Sequence, residues 1–477
     1  MTDDTAYFES KEFQNILNKY ETSVKSEHAI YMDADDLADI ADYYHYNGRD
    51  EEANEAIELA LTYNPEAVGP LLYKAREALS RGDYEGAEDY ASRIEAVDSQ
   101  EAVYLKGEIM ISQGKVDEAN DYFRQKMDEI MPDELTDYVY DVANVFSDYN
   151  IHNIAFEWIA RSQGDDSDDF KELMGHTLFG LGKYKDSERI FNELIDHNPY
   201  SARYWNALAN AQFMSEDYNA SITSSEYAIA IDPHDAESIL AKANGLFSLN
   251  NYESALTYYR RYSDIMEDDY FGYMHQGSCL LNLGRTEEAV PILEKAEQAA
   301  AAAASPQILT DIYQELAFAY GDLHKLDQAL YYIDKAEQLD CDHVNMEVIR
   351  GHILLSNNQA KEAEFAFKKA LRLSDNAPKT MLRIIVSLYD NQYLHTCYIL
   401  FKKFFMQISN DWNDGYSYMA LCCLDLKKHD EFLYYLDQAV KRNPKEARTV
   451  LGGLFPEGTL PEEYIAYISN QTNKEST

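Results

Sequence analysis

Along almost the whole chain, apolar residues recur every three or four positions in short runs separated by polar turns, the period of amphipathic helices. The best-formed stretch is Ala202 to Asp235, ARYWNALANAQFMSEDYNASITSSEYAIAIDPHD. Its first half sets Trp205, Leu208, Ala209 and Gln212 at helical spacing, its second half repeats this with Tyr218, Ser221, Ser225 and Ala228, and Pro233 ends it. The pattern predicts two short helices joined by a tight turn.

With Ala202 as position 1, matching units begin at Ala34, Val68, Gln100, Thr136, Asp168, Ala202, Ala236, Tyr270, Thr310, Val344, Pro378 and Asn413, mostly at or near 34 residues apart. Position 8 is small, where two helices must approach closely: Ala41, Ala75, Gly107, Ala143, Gly175, Ala209, Ala243, Gly277, Ala317, Gly351 and Ala420, with Ile385 the exception. Position 20 is small from Ala53 to Ala363, and position 24 is mostly bulky, as in Phe123, Phe191, Leu293 and Phe367. Turn residues sit at position 15, as Gly48, Gly82, Gly114, Gly182, Gly284, Asn150, Asn250 and Asn358. Pro65, Pro199, Pro233 and Pro444 take position 32, where proline stops a helix.

One interval departs from the rest. The eighth and ninth units start 40 residues apart, and the six extra residues match Ala299–Ala304. Alanine is the best helix former, so the second helix of unit eight is expected to run on until Ser305-Pro306. A change of direction of the array at this point is the alternative reading. Before the units, Phe13, Ile16, Leu17, Tyr20 and Val24 form a stripe suited to capping the first one, and Val450, Leu451, Leu454, Tyr464, Ile465, Tyr467 and Ile468 are placed to cap the last. Residues Asn470–Thr477 are expected to be disordered.

The repeated small/large pattern over residues 34 to 446 resembles the tetratricopeptide repeat, a helix–turn–helix unit of the same length. The resemblance implies an all-α fold, an α-solenoid superhelix of about twelve tandem repeats. It divides the chain into a capping helix (1–33), repeats one to eight (34–304), repeats nine to twelve (305–446), and a C-terminal cap with a tail (447–477). It also implies that first helices line a concave surface through positions 2, 5, 9, 12 and 13. In the middle repeats these positions are Arg203, Asn206, Asn210, Phe213, Asn244, Phe247, Phe271, Met274 and Ser278. Amides can both donate to and accept from a peptide backbone, and Phe and Met give adaptable apolar contact. The partner-binding expectation is therefore Arg203, Asn206, Asn210, Phe213, Asn244, Phe247, Phe271 and Met274. In repeats ten to twelve the same positions are apolar (Val348, Leu355, Leu382, Val386, Tyr389, Leu421, Leu424), which is expected to leave an exposed stripe.

Charge narrows the partner class. The chain carries 85 acids against 41 Lys and Arg, a net −44, which makes nucleic-acid backbone binding unattractive. Residues 1–170 hold net −28 (41 acids, 13 bases), whereas 378–450 hold net +2 (10 bases, 8 acids). Head-to-tail self-association is conceivable on that asymmetry. No stretch reaches the roughly 18 consecutive apolar residues of a membrane span, and the acidic start, MTDDTAYFESKEF, is unlike a secretory signal. A cytoplasmic location follows as the expectation, with the five cysteines as free thiols.

Candidate chemistry is sparse. The acids Asp165, Asp166, Asp168 and Asp169 lack the alternation and distal Glu of a calcium loop and suit a helix start instead. Cys341-Asp342-His343 places a thiol beside an imidazole, with no oxyanion donor or further ligand in view. Lys379 and Arg383 match one part of the carboxylate clamp of chaperone-binding relatives, but Gln314, Phe318 and Ile349 stand at its other places. The expectation is a non-enzymatic scaffold without cofactor or metal, binding proteins or peptides. A regulatory sensor whose groove binds a small peptide signal is the alternative.

Overall fold

In the computed structural model the described residues are 7–8, 10–26, 32–95, 100–162, 166–303, 306–456 and 459–468. They are all-α, with no strand among them. The tail from Asn470 and residue Asp165 lie outside the described residues. The chain forms two compact units, Met1–Ala220 and Ser221–Thr477.

The first unit contains α1 (Lys11–Ser26), α2 (Ala34–Tyr46), α3 (Asp50–Tyr63), α4 (Val68–Ser80), α5 (Tyr84–Glu95), α6 (Glu101–Ser112), α7 (Val116–Met127), α8 (Leu135–Asp148), α9 (His152–Ile159), α10 (Asp168–Gly180), α11 (Tyr184–His197) and α12 (Ala202–Met214). Helix α13 (Tyr218–Ile231) carries the chain across the division. The second unit continues with α14 (Ala236–Ser248), α15 (Tyr252–Ile265), α16 (Tyr270–Asn282), α17 (Thr286–Ala302), α18 (Pro306–Asp322), α19 (Leu326–Glu337), α20 (His343–Ser356), α21 (Ala360–Leu373), α22 (Pro378–Asp390), α23 (Leu394–Gln407), α24 (Tyr416–Asp425), α25 (His429–Arg442) and α26 (Pro444–Leu451). From α2 to α25 the even helices open a repeat and the odd ones close it.

The sequence pattern explains the pairing. Where position 8 is glycine, it faces position 24 of its own second helix, as at Gly107, Gly175, Gly277 and Gly351. A Cβ added to Gly107 would sit 1.9 Å from the Phe123 ring, and one on Gly351 would sit 2.3 Å from Phe367. Position 20 lies in the same seam: Ala53, Ala87, Ala119, Ala155, Ser187, Ser221, Ala255, Ala289, Ala329 and Ala363 are all fully buried. Of the two serines, Ser187 donates to the Gly175 carbonyl at 2.8 Å, whereas the Ser221 hydroxyl is buried without a hydrogen-bond partner among the described residues. Each buried Phe or Leu of the seam contributes about 1.5–3 kcal/mol.

The turn is equally regular. Position 15 has a left-handed backbone in every repeat, at Gly48, Gly82, Gly114, Asn150, Gly182, Glu216, Asn250, Gly284, His324, Asn358, Gln392 and Lys427. Four of these are neither Gly nor Asn and so carry strain.

The long interval lengthens both neighbouring helices. Helix α17 runs to Ala302, and Pro306 opens α18 rather than merely stopping α17, so each has 17 residues. Proline suits a first helical position because its missing N–H has no intrahelical partner there.

The ends are covered within each unit. Phe13, Leu17 and Tyr20 of α1 are buried against Leu37, Ile40 and Ala41, whereas Val24 is 55% exposed. At the other end Ala447 and Leu451 join the core of repeat twelve, and Phe455 stacks on Tyr464 at 3.7 Å. Glu446 of α26 accepts from the backbone N–H groups of Gly415 (2.8 Å) and Ser417 (3.2 Å), capping α24.

Of the seven apolar residues assigned to an open stripe in repeats ten to twelve, Val386, Tyr389, Leu421 and Leu424 are half-buried and three are placed differently. Val348, Leu355 and Leu382 are buried, Val348 and Leu355 in a cluster with Ile384 of the following first helix. Adjacent first helices pack on one another, and these side chains fill that contact.

Candidate binding face

In the first unit the expected residues lie on α12. Arg203 pairs with Glu172 of α10 at 2.6 Å, and its guanidinium lies 5.5 Å from the Tyr204 ring. Asn206 is buried, at 5% exposure, while Asn210 and Phe213 are half-buried. Phe213 meets Tyr218 edge to face at 5.3 Å. The same pairing of positions 12 and 17 recurs at Phe179–Tyr184 (5.5 Å) and, in the second unit, at Phe247–Tyr252 (5.3 Å). These phenylalanines therefore also brace the turn between their two helices.

Other first helices of this unit bring charges to the same positions. Arg76 of α4 pairs with Glu108 of α6 at 3.0 Å. Burial pushes the carboxyls of Glu101, Asp141 and Asp148 above the usual carboxylate range.

In the second unit the structure brings Phe247, Phe271 and Met274 to facing stretches of α14 and α16, together with a residue the spacing did not single out. His275 lies 4.2 Å from the Phe271 ring and 5.8 Å from Phe247, and stacks on Tyr259 at 5.1 Å. Desolvation pushes its pKa down to about 4, so the ring is neutral at pH 7. Its Nδ1 is buried without a hydrogen-bond partner. Asn244 is engaged beside it, its Oδ1 accepting from the Tyr259 hydroxyl at 2.7 Å. His275 falls four residues after Phe271, one helical turn on, which is the signal that could have placed it.

Further along, Ser278 is buried and burial raises the Glu315 carboxyl. Arg383 donates to Asn345, which donates to Gln314 at 3.0 Å. The arginine matched to a carboxylate clamp is thus held in a chain of three side chains on successive first helices.

The isolated chemical candidates have structural roles. Ser167 accepts from the Phe170 N–H at the start of α10, Asp168 pairs with His197 at 2.8 Å, and Asp166 with Lys171 at 2.8 Å. Asp342 caps α20 through Val344 and Asn345. The neighbouring Cys341 thiol is 3.8 Å from His343 Nδ1, and burial with nearby carboxylates pushes it up, away from a reactive thiolate. Four cysteines are buried, Cys341 is partly so, and all are free. Among the described residues there is no group of three or more His, Cys, Asp or Glu that could hold a metal ion. No helix among them is long and apolar enough to cross a membrane.

A seam of small and large residues repeated in tandem defines an all-α helical-repeat protein. The chain contains tetratricopeptide repeats. The family model "Tetratricopeptide repeat" matches residues 72–128, 173–236 and 240–305, and a second model of the same description matches 348–376.

Among curated proteins, the chain is similar to the anaphase-promoting complex subunit 7 of Dictyostelium discoideum, 23% identical over 288 residues. It also matches the STIP1 homolog of the same organism, 30% identical over 95 residues. The first match covers 58% of this chain and 42% of the relative, the second 20% and 17%, so the chain spans less than half the length of either. Among solved structures, yeast Tom70 aligns over 88% of this chain and 94% of its own, at 15% identity and a TM-score of 0.41. YrrB, titled a TPR protein with an unusual peptide-binding site, aligns over 42% and 97%, at 16% identity and 0.34.

Proposed function

We propose that this protein is a non-catalytic scaffold that holds peptide segments or protein domains against the first-helix face of its middle repeats. The observation that carries this reading is the half-buried aromatic cluster of Phe247, Phe271 and His275, with Met274 on the same helix as His275. These side chains are themselves at neither position 8 nor position 24, and they leave half-buried apolar surface above the position-24 Tyr259, on which His275 stacks. Asn244 supports this face by accepting from the Tyr259 hydroxyl, and Asn210 stands at the same repeat position on α12.

The test is affinity purification with quantitative mass spectrometry, comparing the wild type with Asn210→Ala/Asn244→Ala and with Phe271→Ala/Met274→Ala. Depletion of the same copurifying proteins in both variants supports the reading, provided that circular dichroism shows both to be folded. Unchanged recovery of every partner contradicts it.

A further inference from the structure

Position 22, on the outward side of the second helices, changes character along the chain. It is Glu55, Asp89, Asp121, Glu157 and Arg189 in repeats one to five, Thr223 and Thr257 in the next two, and Pro291 in the eighth. In repeats nine to twelve it is Tyr331, Phe365, Ile399 and Tyr434. These four side chains are 55%, 67%, 53% and 58% exposed, and all belong to one compact unit. Each stands two residues before a buried position-24 side chain (Ile333, Phe367, Phe401, Leu436), hence on the opposite side of its helix.

Aromatic side chains bury about 150–250 Å² each, so four large apolar groups half open leave on the order of 300–500 Å² of apolar surface. That is about the size of the largest apolar patch on a typical folded monomer, which is often functional. Met406, 81% exposed and one helical repeat beyond Ile399 on α23, enlarges it.

The flank tells what kind of surface fits. At positions 25, 26 and 29 of repeats ten and eleven stand Lys368, Lys369, Arg372, Lys402 and Lys403, a basic edge in a chain of net −44. Lys369 reaches Glu347 and Lys402 reaches Glu431, but Lys368 is committed only to an exposed pair with Glu364, which contributes little. A second copy is a poor occupant. Two-fold pairing of the stripe sets repeat ten on repeat eleven, and Lys368 would then meet Lys402 and Lys403. An anionic bilayer is disfavoured as well, because Asp334 and Asp437 stand at position 25 in repeats nine and twelve.

We propose that the second-helix face of repeats nine to twelve docks an amphipathic helix of a partner protein. Its apolar row lies along Tyr331, Phe365, Ile399 and Tyr434, and its acidic edge faces Lys368, Arg372 and Lys403. This surface is separate from the first-helix face proposed above.

The test uses the purified full-length chain and two fluorescent synthetic helical peptides with one apolar leucine row, edged by glutamates in one and by lysines in the other. Fluorescence anisotropy is expected to show the glutamate peptide binding at least about tenfold tighter than the lysine peptide. Phe365→Glu/Ile399→Glu, at two exposed positions, is expected to weaken it by about tenfold or more, and Lys368→Glu/Lys403→Glu to reverse the preference. Asn210→Ala/Asn244→Ala leaves this binding unchanged, which separates it from the first-helix face. Equal affinity for both peptides, or binding indifferent to Phe365→Glu/Ile399→Glu, overturns the proposal. So does sedimentation showing self-association that this variant abolishes, which assigns the stripe to a second copy. Flotation on phosphatidylcholine/phosphatidylserine vesicles lost in the same variant assigns it to a membrane and overturns the proposal too.

Discussion

The seam between positions 8 and 24 makes a quantitative claim that Gly107→Ala tests. A Cβ at Gly107 would stand 1.9, 2.5 and 2.8 Å from three carbons of the Phe123 ring, all closer than real contacts allow. The ring cannot simply swing away. Phe123 is fully buried, faces Phe146 edge to face at 5.7 Å, and its carbonyl accepts from the Tyr138 hydroxyl at 2.9 Å. Overpacking a core by one methyl costs about 1–3 kcal/mol, and three close contacts put this site near the top of that range. Replacing a mid-helix glycine by alanine returns about 1 kcal/mol of helix propensity. The expected net loss is about 2 kcal/mol. Gly175→Ala, whose nearest contact is 2.8 Å to Phe191, is expected to come out close to neutral. Urea denaturation followed by circular dichroism gives the overall change, and hydrogen exchange over α6 and α7 localises it, because repeat arrays need not unfold in one step. The reasoning is refuted if Gly107→Ala matches the wild type or if Gly175→Ala costs more.

Three further outcomes follow from other sites. Gln392→Gly and Lys427→Gly relieve left-handed backbone at exposed turns and should each stabilise by about 0.5–1 kcal/mol in thermal melts; no gain in either would remove the strain argument. Glu446→Ala should cost about 1 kcal/mol by uncapping α24, with exchange rising at residues 416–419, and unaltered exchange there would count against the cap. His275 has a folded pKa near 4 against 6.5 when unfolded. The unfolded chain therefore binds the extra proton, and stability falls as pH drops from about 6.5 towards 4, by at most about 3 kcal/mol. His275→Gln should lose that component, so the stability difference between variant and wild type must change across that window; a pH-independent difference refutes it.

Much of the fold is legible in the residue pattern because each repeat poses the same packing problem. Gly107, Gly351 and the alanines at position 20 announce a close helix pair, and Phe123 and Phe367 announce what fills it. The binding face is less legible. Helical spacing tells which residues share a side of a first helix, but not whether that side meets a neighbour. Val348 and Leu355 were expected to be open, yet they fill the contact with the next first helix. Phe213 and Phe247 read as groove residues and also brace Tyr218 and Tyr252. His275 acquires its role only when α14 and α15 bring Phe247 and Tyr259 to it. The exposed apolar surface of repeats nine to twelve lies on the second helices, at a position the repeat pattern assigns to polar residues in most of the other repeats.

The central claim, that partners are held on the first-helix face of the middle repeats, is tested most directly by hydrogen–deuterium exchange on the chain with and without its strongest copurifying protein. The account predicts new protection in α14 and α16, residues 236–248 and 270–282, lost in Phe271→Ala/Met274→Ala. Protection confined to other helices, with α14 and α16 unchanged, would contradict it.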